Sequence, residues 1–183
     1  MKRPALFLDR DGVVNVDHGY VHNSENFQFI DGVFELVVAA NRSGYLVIVV
    51  TNQAGIGRGY YTEKDFHVLM DWMKTQFVHR GAKIDAVYFC PYHHEHGIGE
   101  YKKKSKLRKP APGMLLQAAE DLDVDLSRSI MLGDKPSDMD AGRAAGVPTL
   151  LYFGESGCNV FASPVQSLFE VLPYLSEGLE QAD

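Results

Sequence analysis

Apolar runs of strand length, separated by segments of helical periodicity, constrain this chain more than any other feature. The runs are Ala5 to Leu8, Leu46 to Val50, Ala86 to Phe89, Ile130 to Leu132 and Thr149 to Tyr152, with a weaker Val160-Phe161 near the end. Unbroken apolarity suits a strand covered on both faces, and strands alternating with helices favour a parallel sheet sandwiched between helical layers. The expected fold is therefore α/β: a three-layer α/β/α Rossmann-like sandwich with a mainly parallel central sheet. At 183 residues the chain suits one core and is short for two, so residues 1–183 are expected to form a single domain.

The helical segments carry their own punctuation. Gly32 to Arg42 places Val33, Leu36, Val37 and Ala40 on one face, with Gly44 as a stop. Thr62-Glu63-Lys64-Asp65 resembles a capping arrangement with Asp in place of Glu or Gln. Phe66, Leu69, Met70, Met73 and Phe77 then form one stripe, expected to pack on the sheet. Pro112 suits the first residue of a helix running to about Leu122, and a further helix begins near Ser137 and ends at Gly146-Val147-Pro148. Pro164 is expected to open a final helix through Leu175. The irregular stretches 16–29 and 92–108 are long enough to be functional loops.

Composition narrows the class. No apolar run approaches the roughly 20 residues that span a bilayer, and Cys90 and Cys158 are too few for a disulfide framework. A cytoplasmic protein is expected, with no membrane partner. The formal net charge of -6 argues against a dedicated nucleic-acid binder, because phosphate backbones reward a basic face.

In an open parallel sheet, ligands bind beyond the carboxyl ends of the strands. There the sequence supplies Asp9 and Asp11 after the first run, Thr51, Asn52 and Gln53 after the second, and Asp134, Lys135 and Asp138 after the fourth. Arg108-Lys109-Pro110 lies just before a helix. Clustered carboxylates with few thiols or imidazoles suit a hard cation such as Mg²⁺ paired with phosphate oxygens. The lysines and the hydroxyl suit the remaining phosphoryl oxygens. Phosphoryl transfer is the reaction class that uses every part.

Asp9-x-Asp11-Gly12, Thr51 at a strand end, Lys109 before a helix and Gly133-Asp134-Lys135-x-x-Asp138 resemble the four motifs of the haloacid dehalogenase superfamily of phosphatases, in order. Further strings resemble the heptose 1,7-bisphosphate 7-phosphatases within it. They are Asn15-Val16-Asp17-His18-Gly19-Tyr20-Val21, Phe29-Ile30-Asp31-Gly32-Val33, Thr51-Asn52-Gln53-x-Gly55-Ile56-x-Arg58-Gly59 and Arg108-Lys109-Pro110-x-Pro112-Gly113-Met114. The resemblance thins after about Leu151, and histidinol-phosphate phosphatases share most of these strings.

The resemblance implies that Asp9 is the nucleophile, that Asp11 is the general acid and then the base, and that Thr51 and Lys109 hold the transferred phosphoryl oxygens. It implies Mg²⁺ on Asp9, the backbone carbonyl of Asp11 and Asp134, with Asp138 nearby. Asp17, His18, Gly19, Tyr20, Asn52, Gln53, Arg108 and Lys135 match substrate contacts, Arg108 suiting a second phosphate because a guanidinium grips one bidentately. No gap between motifs houses a cap domain, so 16–29, 54–61 and 92–108 are expected to wall the site. The substrate implied is a small sugar bisphosphate, losing its 7-phosphate in nucleotide-activated heptose and lipopolysaccharide biosynthesis. Histidinol phosphate or another small phosphomonoester is the alternative. A monomer is expected.

One departure from the family stands out. Many members carry a structural zinc on Cys-x-His and a later Cys-x-Cys; here Cys90 is retained, but Tyr92, Ser105 and Leu107 occupy the other positions, so structural zinc is not expected in the family's form. A substitute set from Cys90, His93, His94 and His96 competes with an apolar staple built from Tyr92 and Leu107. The basic run Lys102 to Lys109 is expected to lend positive potential to an anionic-substrate site, with no nucleic acid as partner.

Overall fold

The structure, a computed structural model, describes residues 2–154 and 161–175. Six parallel strands form one sheet in the order β3-β2-β1-β4-β5-β6. They are β1 (Ala5–Leu8), β2 (Leu46–Asn52), β3 (Ala86–Cys90), β4 (Ile130–Gly133), β5 (Thr149–Phe153) and β6 (Ser163–Val165). Side chains alternate across the sheet. Leu6, Leu8, Val47 and Val49 join the core on one face, while Ala5, Phe7, Leu46, Ile48 and Val50 join the core on the other. Two buried faces explain why the runs of β1, β2 and β4 are unbroken.

Helices α1 (Val33–Arg42) and α3 (Glu63–Val78) cover the first face; α4 (Gly113–Asp121) and α5 (Pro136–Ala145) cover the second. The Thr62 cap forms as expected: its hydroxyl accepts from the Asp65 amide, and Asp65 accepts from Thr62 N–H at 2.8 Å. The stripe Phe66 to Phe77 is buried, and Phe77→Ala would cost about 3–5 kcal/mol. Helix α5 has Pro136 in its first turn and Gly146 as a left-handed cap at φ 86.

Three expectations need correction. Strand β2 runs on through Thr51 and Asn52, because both still pair with β3 at Phe89 and Cys90. The last strand is Ser163–Val165; Phe161 precedes it, and Val160 lies outside the described residues. Pro164 therefore sits in an edge strand, where a missing N–H costs no ladder bond. Helical turns start only at Leu168, after the Ser167 cap. A short helix, α2 (Ala54–Gly57), was not expected.

From β1 the chain moves one way to β2 and β3, then returns to lay β4, β5 and β6 on the other side. The crevice where the order reverses lies between the carboxyl ends of β1 and β4, the switch point at which open sheets bind ligands. Asp9 and Asp134 stand there.

Candidate active site

Asp9 continues β1 by one residue, its amide donating to Leu132 O at 3.0 Å, and the residue is only 4% exposed. The chain then turns tightly: Val13, Val14 and Asn15 N–H all donate to Arg10 O, and Gly12 N–H donates to Asn15 O. Gly12 has φ 99, and a Cβ on it would stand 2.1 Å from Asp134 Oδ2. Only glycine lets this turn press against Asp134.

Lys109 Nζ lies 2.7 Å from Asp9 Oδ1, 2.7 Å from Asp138 Oδ1 and 2.8 Å from Val50 O. Asn52 brackets the Lys109 backbone, its Nδ2 donating to Lys109 O at 3.0 Å and its Oδ1 accepting from Lys109 N–H at 3.1 Å. Burial works against the Lys109 charge, but Asp9 and Asp138 more than reverse it and raise its pKa. Burial pushes the Asp9 carboxyl up, with Lys109 opposing and Asp138 adding to the rise. One ammonium thus serves a group of buried acids.

Oxygens of Asp9, Asp134 and Asp138 lie within 4.8 Å of one another. Asp134 Oδ1 is buried with no hydrogen-bond partner among the described residues, and burial followed by the proximity of Asp9 pushes Asp134 up to about 7. An all-oxygen set, short of countercharge and holding an orphaned acceptor, fits a hard divalent cation. Asp138 is committed elsewhere, one oxygen to Lys109 and the other to Lys135 N–H at 3.0 Å.

The cavity above these groups has a volume of about 570 Å³ and is lined by all three expected walls, within the size range of small-molecule sites. Asp17, Gly19 and Tyr20 come from the first loop, Ala54, Gly55 and Tyr61 from the second, His93, Glu95 and Arg108 from the third. Lys135 Nζ reaches Asp17 Oδ2 at 3.2 Å; burial opposes its charge, yet Asp9, Asp134 and Asp17 raise its pKa. Burial also tends to raise the Asp17 carboxyl, but the Gly19 N–H and Lys135 hold it below the usual range. Arg108 has no carboxylate partner among the described residues; Nη1 donates to Tyr92 O at 3.3 Å.

Several expected contacts look different in place. His18 is exposed and does not line the cavity. The Asn52 amide is spent on Lys109. Gln53 is 2% exposed, with Nε2 donating to Thr51 Oγ1 at 2.8 Å and Asp11 Oδ2 at 3.0 Å, and Oε1 accepting from Tyr61. Both amides align neighbouring site residues. Tyr61, not singled out in the sequence, is pushed up to about 12 by burial and is the donor to Gln53. Arg10 and Asn15 were also missed, although both donate to Asp11 Oδ1, at 2.6 and 3.1 Å. Nothing in the sequence marks Arg10 as buried; its lack of exposed surface in the structure does.

The family's zinc does not fit this chain, because a phenol, a hydroxyl and an isobutyl group replace three ligands. Tyr92 and Leu107 pack against the core that contains buried Cys90, Lys103 Nζ stands 4.1 Å over the Tyr92 ring, and Ser105 Oγ accepts from Leu107 N–H. His93 Nδ1 faces the backbone N–H groups of Glu95 and His96 at 3.2 Å each. Among the described residues, Cys90, His93, His94 and His96 do not come together as a ligand set. Cys158 lies outside the described residues.

Comparison with known proteins gives the same picture. A HAD-hydrolase-like family model matches residues 106–157, the stretch holding Lys109, Asp134 and Asp138. The chain is 55% identical to D-glycero-alpha-D-manno-heptose-1,7-bisphosphate 7-phosphatase of Burkholderia mallei, over 96% of this chain and 95% of that protein. It is 54% identical to the D-glycero-beta-D-manno-heptose-1,7-bisphosphate 7-phosphatase of Vibrio cholerae, over 81% of this chain and 80% of that one. Among solved structures, the D,D-heptose 1,7-bisphosphate phosphatase of B. bronchiseptica, complexed with magnesium and phosphate, superposes with TM-score 0.80. It is 26% identical and covers 98% of this chain and 99% of that one.

Proposed function

The chain belongs to the heptose-1,7-bisphosphate 7-phosphatase family of HAD-like hydrolases, and from that membership we propose how it removes the 7-phosphate. Asp9 attacks phosphorus with the carboxylate oxygen that Lys109 does not hold, and the bond from phosphorus to the sugar oxygen breaks. The departing oxygen takes a proton from Asp11. Water then attacks the aspartyl-phosphate, giving its proton to Asp11 as the bond to Asp9 breaks and inorganic phosphate leaves. Splitting one difficult displacement into two is the benefit of a covalent intermediate, and one carboxyl serving as acid and then base follows from the two halves.

Thr51 and Lys109 hold the phosphoryl oxygens whose charge redistributes in the transition state. Asp9, the Asp11 carbonyl and Asp134 hold magnesium, which when bound supplies positive charge beside the phosphoryl group. Lys135 and Asp17 brace the cavity mouth. The enzyme needs no nucleic-acid, membrane or protein partner, and works as a cytoplasmic monomer.

The observation that carries the choice of a bisphosphate is that a single cavity is lined both by Asp9 and by Arg108, whose guanidinium is unpaired with any acid among the described residues. The transferred phosphate meets the floor and the other meets Arg108. Released phosphate measured for both anomers of the heptose bisphosphate and for histidinol phosphate tests this. Turnover of at least one anomer far above histidinol phosphate is expected; the reverse preference would overturn it. Arg108→Ala should raise KM for the bisphosphate about 10–100-fold, the value of a charge-assisted contact, with much less effect on a monophosphate.

A further inference from the structure

We propose that Arg10 is the positioning residue for the Asp11 carboxylate and ties it to the loop that carries Asp17 to Tyr20. The inference rests on the reading of Asp11 as acid and base. Arg10 has no exposed surface, and Nη2 donates both to Asp11 Oδ1 at 2.6 Å and to Val21 O at 2.7 Å. Its Nε and Nη1 are buried with no hydrogen-bond partner among the described residues, and its Cζ stands 5.9 Å from the centre of the Phe66 ring. A guanidinium with two idle nitrogens in an apolar setting is a poor source of stability, since an apolar side chain of similar volume would serve the fold better. Its value lies in where it holds Asp11.

The rest of the network points the same way. Asn15 Nδ2 donates to the same Asp11 oxygen at 3.1 Å, and Gln53 Nε2 donates to the other at 3.0 Å. Gln53 is fixed in turn by Tyr61 and shared with Thr51. Donors from the Asp9 turn and from the end of β2 therefore set the rotation of a single carboxyl. Proton transfer requires that carboxyl to lie within hydrogen-bond reach of the leaving oxygen and later of the water. Because Nη2 is shared with Val21 O, a shift of the 16–29 loop is felt at Asp11.

Arg10→Lys, Arg10→Gln and Asn15→Ala, each compared with the wild type for folded fraction, are assayed on the heptose bisphosphate and on p-nitrophenyl phosphate. For Arg10→Gln, kcat on the sugar phosphate should fall about 100-fold with KM nearly unchanged, in the range of lost acid-base catalysis. The aryl group leaves without protonation, so only hydrolysis of the aspartyl-phosphate then waits on Asp11. A burst of p-nitrophenolate approaching one per enzyme, larger than in the wild type, is expected before slow turnover. Arg10→Lys should recover part of the rate, and Asn15→Ala should repeat the pattern at smaller amplitude.

Unchanged kcat per folded enzyme, or slowed turnover without a larger burst, would overturn the proposal. Should Arg10→Gln fail to fold, the other two variants decide by the same criterion. Wild-type enzyme that hydrolyses the aryl phosphate but neither heptose anomer would count against the substrate alone, leaving the burst comparison intact.

Discussion

Lys109 Nζ lies 2.7 Å from Asp9 Oδ1, joining residues 100 positions apart of which neither is more than 4% exposed. The same ammonium is 2.7 Å from Asp138 Oδ1. One side chain thus orients the proposed nucleophile and neutralises the first residue turn of α5, and its backbone is clamped by Asn52 at the end of β2. The carboxyl ends of β1 and β2 and the first turn of α5 are locked together through one lysine.

Lys109→Met keeps the stem and removes the charge. Activity should fall at least about 100-fold, the usual cost of losing a group that stabilises transition-state charge. Breaking a buried pair from one side costs about 3–5 kcal/mol. The loss should be greatest near pH 8 and shrink toward pH 5, because carboxyls with raised folded pKa values bind protons that the unfolded chain has released. Denaturant melts of both proteins at the two pH values check this; a pH-independent difference would contradict it.

Asp134, pushed up to about 7, gives the metal-free protein a second pH signature. Between its unfolded value of 3.8 and about 7 the folded state holds a proton that the unfolded state lacks, so stability falls as pH rises through that window. Asp9, also raised, adds to the fall, while His93, lowered by burial and then by Arg108, opposes it just below 6.5. Magnesium should therefore raise the melting temperature far more at pH 7.5 than at pH 5, and Asp134→Asn should flatten the metal-free profile. Equal magnesium shifts at both pH values would refute the assignment.

The sheet was legible because strands buried on both faces, as β1, β2 and β4 are, leave unbroken apolar runs; the strand order that sets the switch point comes from the structure. Pro164 misled because an edge strand tolerates proline as readily as a helix start does. Among site residues, Asp9, Asp134 and Lys109 stand where strand ends and helix starts put them. Asn52 and Gln53 line the cavity as well as bracing Lys109 and Asp11, a second role that no one-dimensional signal gives. Arg10 was hidden for a related reason: an arginine between two acids reads as a solvated charge, and only the packing of Phe66 and Val21 reveals it as buried.

The 92–108 loop should hold its shape without metal. Metal analysis of purified protein is expected to find no stoichiometric zinc, and a chelator that spares magnesium should leave melting unchanged. Tyr92→Ala, which removes the ring between Lys103 and Tyr101, should raise KM more than it lowers kcat, because it loosens the segment presenting His93 and Arg108. About one zinc per chain would show that a different ligand set forms.

Gly12→Ala tests how closely the catalytic turn and the cation group are fitted. The backbone there sits at φ 99, and the added methyl would meet Asp134 Oδ2 at 2.1 Å. Backbone strain of this kind costs about 1–3 kcal/mol, and Asp134 must swing away because the turn itself is pinned by bonds to Arg10 O. The stability loss should therefore be modest while the magnesium needed for half-maximal activity rises at least about tenfold, the equivalent of roughly 1.4 kcal/mol of lost binding. Binding of inorganic phosphate in the absence of magnesium should change much less, since Lys109 and Thr51 keep their places. If magnesium dependence is unaltered in a folded variant, Asp134 does not hold the cation from this position and the proposed ligand set is wrong.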